Sequence, residues 1–297
     1  MATRKKLWPL EPHTLGKHHV LRKYLNAWFP IMGTWNGRIL FIDGFAGPGE
    51  YEGGEAGSPM IAFESFLEHV ARKKITAEVV FTFVEADNER AEHLRKLIEK
   101  KYPTFPPNCK VEVWDGRFDR TMTRLLDELD RQNAALAPAF VMIDPFGVSD
   151  TPMEVVGRIL RNRWSEVYVS FMYEAINRFK GTPEFESHLD GLFGCATWRE
   201  GLVIEDAGQL KIYLYDLYAE QLRKNGAEHV VRFELFNAGR LIYAVYFATH
   251  NVKGSDRVKE AIWKIAPFGD FAFHGSRSGQ LVLAAPNFWA ASSGSPR

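Results

Sequence analysis

Short apolar runs alternate along this chain with stretches in which apolar positions recur every three to four residues. The runs RILFID (38 to 43), EVVFTFVEAD (78 to 87), KVEVWDG (110 to 116), AFVMIDPFG (139 to 147) and EVYVSFMY (166 to 173) predict five strands. They are apolar almost throughout, so both faces are buried and the strands are expected to pair in parallel through right-handed crossovers. The stretches between them predict helices. Ser58 and Pro59 supply an N-cap and first-turn position, and Asp87 caps NERAEHLRKLIEKK with its stripe of Ala91, Leu94, Leu97 and Ile98. RTMTRLLDELDR predicts another helix, and Thr151, Pro152 and Glu154 form a capping box opening PMEVVGRILR.

The pattern changes after residue 173. Residues 174 to 207 predict a small helical insertion or cap, followed by a helix over 208 to 224. VVRFELFNAGRLIYAVYFATH (230 to 250) predicts an antiparallel hairpin turning at Asn237, Ala238 and Gly239, then come a helix near 255 to 265 and a last strand in QLVLAAP. The expected organisation is an N-terminal basic helical segment (1 to 37), a Rossmann-like core (38 to 173), the insertion (174 to 207), the rest of the core with antiparallel strands (208 to 290) and a flexible tail (291 to 297). An α/β sheet, mostly parallel with an antiparallel C-terminal hairpin, is the outline of a class I S-adenosylmethionine-dependent methyltransferase.

Composition narrows this in three ways. With 297 residues, 46% hydrophobic and 13% aromatic, the chain can bury a large core. No window approaches the roughly 18 consecutive apolar residues of a membrane span, and no signal peptide is evident, so a cytoplasmic protein without a membrane is expected. Cys109 and Cys195 are far apart and in no CxxC pair, which predicts reduced, buried thiols and no metal site. Lys and Arg balance Asp and Glu at 37 each, but Arg4, Lys5, Lys6, Lys17, Arg22, Lys23 and Arg38 face Glu11 alone in residues 1 to 38. That local excess suits nucleic acid or an acidic partner.

Ligands of such sheets bind beyond the carboxyl ends of the strands, and there the sequence sets Asp43, Glu85, Asp115 and Asp144. After the first strand, FIDGFAGPGEYEGGEAGSP places Gly44, Gly47 and Gly49 as G-x-x-G-x-G, which permits close backbone approach. Glu85 is the natural acceptor for ribose hydroxyls, and Asp115 would sit near an adenine amino group. Lys17, on a helix folded over the sheet, would anchor a cofactor carboxylate. Glu50, Glu52 and Glu55 in the same loop repel phosphate, and no Walker A element occurs, which favours a sulfonium cofactor. DPFG (144 to 147) resembles the D-P-P-[YF] element of amino-methyltransferases, with the second proline absent. There Asp144, Pro145 and Phe146 would hold and stack a planar amine, and positioning is most of what methyl transfer needs.

HTLGKHHVLRKYL, FIDGFAGPGEY with GSP, DPFG, EVYVSFMYEAINRF, and FATHNVKG followed by VKEAIWKI together resemble the three-Cys-motif partner family of prokaryotes, over residues 13 to 266. The resemblance implies a methyltransferase-like fold, S-adenosylmethionine as cofactor, and a separately encoded three-Cys-motif partner that resembles a radical S-adenosylmethionine enzyme. Two other expectations stand beside it. One is a non-catalytic platform for that partner or for nucleic acid; the other is a metal-dependent nuclease using the four strand-end acids.

Overall fold

The computed structural model describes residues 6 to 237, 240 to 265, 271 to 274 and 281 to 283. Arg4, Lys5, the hairpin turn at 238 and 239 and the expected tail from 291 lie outside the described residues. In chain order the elements are α1 (Pro12–Gly33), β1 (Arg38–Asp43), α2 (Ser58–Leu67), β2 (Glu78–Glu85), α3 (Asn88–Lys101), β3 (Cys109–Asp115), α4 (Phe118–Arg131), β4 (Ala139–Ile143), α5 (Met153–Leu160), β5 (Glu166–Phe171), α6 (Tyr173–Phe179), α7 (Pro183–Phe193), α8 (Ala207–Lys224), β6 (His229–Asn237), β7 (Arg240–Thr249), α9 (Val252–Ile265), β8 (Phe271–His274) and β9 (Leu281–Leu283).

One sheet of nine strands runs in the order β3-β2-β1-β4-β5-β7-β6-β8-β9. The first five pair in parallel, and β7, β6, β8 and β9 are added antiparallel. The alternation of a strand sorts its side chains to two cores. Phe41, Phe81, Phe140, Tyr168 and Phe247 face α1, α2, α3 and α9, while Ile42, Val141, Val169, Phe171 and Tyr246 face α4 to α8. The first core is aromatic, with Phe63 stacked on Phe81 at 4.5 Å between ring centres and Phe41 on Phe140 at 5.8 Å. α1 joins it through Val20, Leu21, Tyr24, Leu25, Trp28, Phe29 and Met32, one face of a helix that covers the sheet.

Several predicted boundaries shift. β2 ends at Glu85 because its carboxylate accepts from the Asp87 amide at 2.8 Å and turns the chain. β4 ends at Ile143, before Pro145, which has no N–H for the ladder. Asp87 caps α3 as expected, accepting from Glu89 and Arg90 at 3.0 and 3.2 Å. Ser58 is not the cap of α2; Gly57 is, and the Ser58 hydroxyl donates to Asp43 instead. No side chain caps α5, which starts at Met153 after Pro152, with Thr151 buried. The insertion packs into the second core through Ile176, Leu189, Phe193 and Trp198, so it belongs to the same folded body as α5 and α8. β8 is a strand the sequence pattern does not reveal, because four residues are too few to display a period. Cys109 is buried, its thiol pushed up to about 12 by burial, whereas Cys195 is only half-buried.

Glu166, at the amino end of β5, is buried and bonded by the Tyr24 hydroxyl at 2.6 Å and the Thr249 hydroxyl at 3.0 Å. Burial pushes its carboxyl from 4.5 up to about 7. The native state therefore holds a proton that the unfolded chain has lost above pH 4.5. Its contribution is full below that pH and disappears as pH rises through about 7, a loss of about 3 kcal/mol. Glu166→Gln keeps an acceptor for Tyr24 and donates to Thr249. Urea unfolding at a series of pH values is expected to show a flatter profile between 4.5 and 7 for this variant, and an unchanged slope would refute the assignment.

Candidate functional site at the carboxyl ends of the strands

The loop after β1 is held from below by Asp43, which is fully buried. Its carboxylate accepts from the Phe45 amide at 3.1 Å and the Ser58 hydroxyl at 2.6 Å, and burial pushes its pKa up to about 6. Each of the three predicted glycines answers a different demand. The Gly44 amide donates to the Met142 carbonyl at 2.9 Å, and a Cβ there would lie 2.3 Å from the Phe118 ring. Gly47 and Gly49 have φ of +62° and +84°, the left-handed region that disfavours a side chain. The Gly47 amide donates to Glu85 at 2.8 Å, and a Cβ on Gly49 would meet Leu94 at 2.5 Å.

The second half of the loop is folded back on itself. Glu50 bridges Ala56 in antiparallel fashion, the Tyr51 amide donates to the Glu55 carbonyl at 3.0 Å, and the Gly54 amide to the Tyr51 carbonyl at 2.9 Å. This tight excursion has a use: the Glu52 amide donates to the Trp8 carbonyl at 3.0 Å and so fastens the segment before α1 across the loop. The Trp8 ring meets Phe146 edge-on at 5.3 Å and carries the Arg90 guanidinium at 4.8 Å.

A cleft of about 460 Å³ opens between these parts. Gly44 and Phe45 form one wall, Glu85, Asp87 and Arg90 a second, Gly116, Arg117 and Phe118 a third, and Pro145, Phe146 and Gly147 the lip, with Trp8 at the side. Gly147 has nothing within 4 Å of where a Cβ would be. Of the residues predicted from sequence, Gly44, Glu85, Pro145 and Phe146 thus line the cleft, while Asp43, Gly47 and Gly49 shape the loop behind it. Both Glu85 oxygens already hold backbone amides, those of Gly47 and Asp87, at 2.8 Å each. A carboxylate oxygen accepts more than one bond, so acceptor capacity remains beside the cleft.

Two predicted ligand contacts, Asp115 and Lys17, have protein partners in the structure. Asp115 does not line the cleft: its half-exposed carboxylate pairs with Arg95 at 2.7 Å, and Gly116 and Arg117 occupy the wall. Lys17 is buried and forms an ion pair with Asp144 in place of waiting for a cofactor carboxylate. Burial opposes the Asp144 charge, but the Lys17 ammonium outweighs it and holds the carboxyl below its usual value. Its side chain is 25% exposed, and unlike Pro145 and Phe146 it is not among the residues that line the cleft. His18 beside it is pushed down to about 3, by burial first and by Lys17 second, so it is neutral at physiological pH.

Sequence reasoning missed Trp8, Asp87, Arg90, Arg117 and Asp150. Trp8 carries a weak sequence signal, an aromatic in the short apolar run LWPL between Lys6 and Glu11. Asp150 is legible only in three dimensions: it has φ of +70° and pairs with Arg117, joining the β4–α5 loop to the β3–α4 loop at the edge of the cleft. The basic N-terminal segment also looks different once folded, because Lys17, Arg22 and Arg38 are paired with Asp144, Glu64 and Glu78. Among the described residues no group of three or more His, Cys, Asp or Glu is arranged to hold a metal ion, and no helix is long and apolar enough to cross a membrane.

The order β3-β2-β1-β4-β5-β7-β6, with β7 antiparallel and a glycine loop after β1, defines the class I methyltransferase fold. No protein-family model and no curated protein matches the sequence. Among solved structures, the chain is similar to Trm1 from Pyrococcus horikoshii, solved with S-adenosyl-L-methionine, at 12% identity and a TM-score of 0.47 over 85% of this chain. It spans 59% of the length of that protein. It is also similar to the O-methyltransferase from Bacillus cereus solved with SAH, at 13% identity and a TM-score of 0.41, over 81% of this chain and 82% of that one. The fold assignment rests on strand order and loop geometry, which these distant likenesses accompany.

Proposed function

We propose that the cleft binds S-adenosylmethionine and that the protein is a methyltransferase acting on an amino group of a nucleobase, within the three-Cys-motif partner family it resembles. The observation that carries this is the Gly47 amide locked onto Glu85 between the carboxyl ends of β1 and β2, directly beside the cleft. The donor set suits the cofactor: Glu85 and Asp87 offer acceptors to ribose hydroxyls, Phe45 and Phe118 offer apolar walls to an adenine, and the acids nearby disfavour a phosphate-bearing nucleotide. When bound, the cofactor supplies an electrophilic methyl group on a sulfonium.

The chain's own residues handle the acceptor. Asp144, kept ionised by Lys17, accepts a hydrogen bond from an exocyclic amine, and Phe146 offers a ring face to a planar base. With one proline fewer than D-P-P-[YF], Phe146 still lines the cleft. Isothermal calorimetry on the wild-type chain is expected to show binding of S-adenosylmethionine and S-adenosylhomocysteine; no binding at millimolar ligand would overturn the proposal. Partnership with a three-Cys-motif protein is tested separately by co-expression and size-exclusion chromatography. Co-elution is expected, and separate migration at micromolar concentration counts against the family assignment.

A further inference from the structure

Two arginines on α4 stand apart from their neighbours. Arg120 and Arg124 are exposed and one helical turn apart, about 6 Å along the axis. Among the described residues neither pairs with an acid, whereas Arg117, Arg131 and Arg158 around them all do. Both line a shallow groove of about 520 Å³ between α4 and α5. Among the acids of this groove, Asp119 pairs at 3.1 Å with Arg117, which also holds Asp150, and Asp127 pairs at 2.8 Å with Arg158, which also holds Asp130, so Arg120 and Arg124 are the unpaired cations there, with Glu154 beside them.

The groove begins where the cleft ends. Arg117, Phe118 and Asp150 bound the cleft, and Asp119, Arg120 and Pro152 bound the groove, so the start of α4 and the β4–α5 loop border both. At the lip of the cleft Phe146 is 73% exposed, an apolar ring that folding leaves in water beside Trp8.

We propose that this continuous surface takes a single-stranded nucleic acid, with one base stacked on Phe146 at the lip and a neighbouring stretch of phosphates on Arg120 and Arg124. The proposal deepens the methyl-transfer reading, on which it rests, by naming a polynucleotide strand as the acceptor. An aromatic platform next to a pair of unpaired guanidinium groups combines the two contacts that bind single strands, since every base has a ring face and every nucleotide a charge. Chemistry on an exocyclic amine needs the base out of its stack, and an unpaired strand presents it without the cost of flipping. The planar guanidinium fork matches phosphate oxygens. This site differs from the basic N-terminal segment expected from sequence, in which Lys17, Arg22 and Arg38 are paired with acids.

The test is fluorescence anisotropy of a short labelled mixed-sequence oligonucleotide, as single-stranded RNA, single-stranded DNA and duplex, at about 50 to about 200 mM salt. Single strands are expected to bind more tightly than duplex. Arg120→Gln with Arg124→Gln is expected to weaken binding about tenfold at low salt and to reduce the slope of log affinity against log salt by about 1.4, the value for two lost phosphate contacts. Phe146→Ala is expected to weaken binding about tenfold with the slope unchanged, as loss of one stacked base requires. Circular dichroism melting checks that the variants fold. No binding by the wild type at low salt, equal affinity for duplex, or variants that bind as the wild type does would each overturn the proposal. S-adenosylhomocysteine calorimetry on the same wild-type preparation separates the two failures: if the cofactor binds and the strand does not, only the strand proposal falls.

Discussion

Glu85→Ala is expected to abolish detectable S-adenosylhomocysteine binding and to destabilise the fold, while Glu85→Gln retains a folded chain with weakened binding. Glu85 is 7% exposed and its two oxygens hold the Gly47 and Asp87 amides. Alanine removes both acceptors at once. Each amide left unpaired in a buried setting costs about 1 to 3 kcal/mol, and the Gly47 turn is released from the strand that positions it. Glutamine keeps one acceptor oxygen but turns an N–H towards the second amide, and it removes the charge that strengthens a bond to a ribose hydroxyl. A loss of affinity of about ten- to a hundredfold follows. Calorimetry gives the affinities and thermal melting the stability. Wild-type affinity in the alanine variant would show that the cofactor is not held here.

Lys17→Met has the second large expected effect. The methionine fills much of the space of the lysine stem, so the change isolates the charge. Asp144 then keeps a partly buried carboxylate opposite an apolar group, with the burial cost that Lys17 now outweighs. Breaking one half of such a pair costs about 3 kcal/mol, and Asp144 responds by taking up a proton at higher pH. Asp144→Asn alone removes the carboxylate charge that faces the Lys17 ammonium. The double variant Lys17→Met with Asp144→Asn is expected to recover most of the stability lost by either single change, which a double-mutant cycle in urea measures. Additive losses would mean that the pair does not act as a unit. In methyl transfer, the Lys17 variant is expected to lose activity below the pH at which its Asp144 ionises, since a protonated carboxyl no longer accepts from the substrate amine.

Much of this architecture was legible in the chain. The five parallel strands, the stripe of Ala91, Leu94, Leu97 and Ile98, the Asp87 cap and the hairpin strands follow from local periodicity and capping chemistry, and the structure places all of them. The glycine loop was legible too, because left-handed backbone at Gly47 and Gly49 needs residues without a side chain. What local pattern misjudged were residues with two plausible partners. Ser58 has the chemistry of a cap, yet donates to Asp43 because the buried carboxylate is close by. Asp115 has the position of a ligand acid, yet Arg95 on α3 reaches it first.

The sequence by itself determined most of the strands and helices, β8 excepted, and that strand-end acids and glycines gather at one edge of a sheet, because both facts depend on the spacing of residues along the chain. Only the tertiary structure decided which of those acids remain available. Trp8 and Phe146 meet across 138 positions of sequence, Lys17 and Asp144 across 127, and Arg117 and Asp150 at the edge of the cleft. Such contacts arise from how α1 and the strand-end loops are carried over the sheet, and no period in the chain records them.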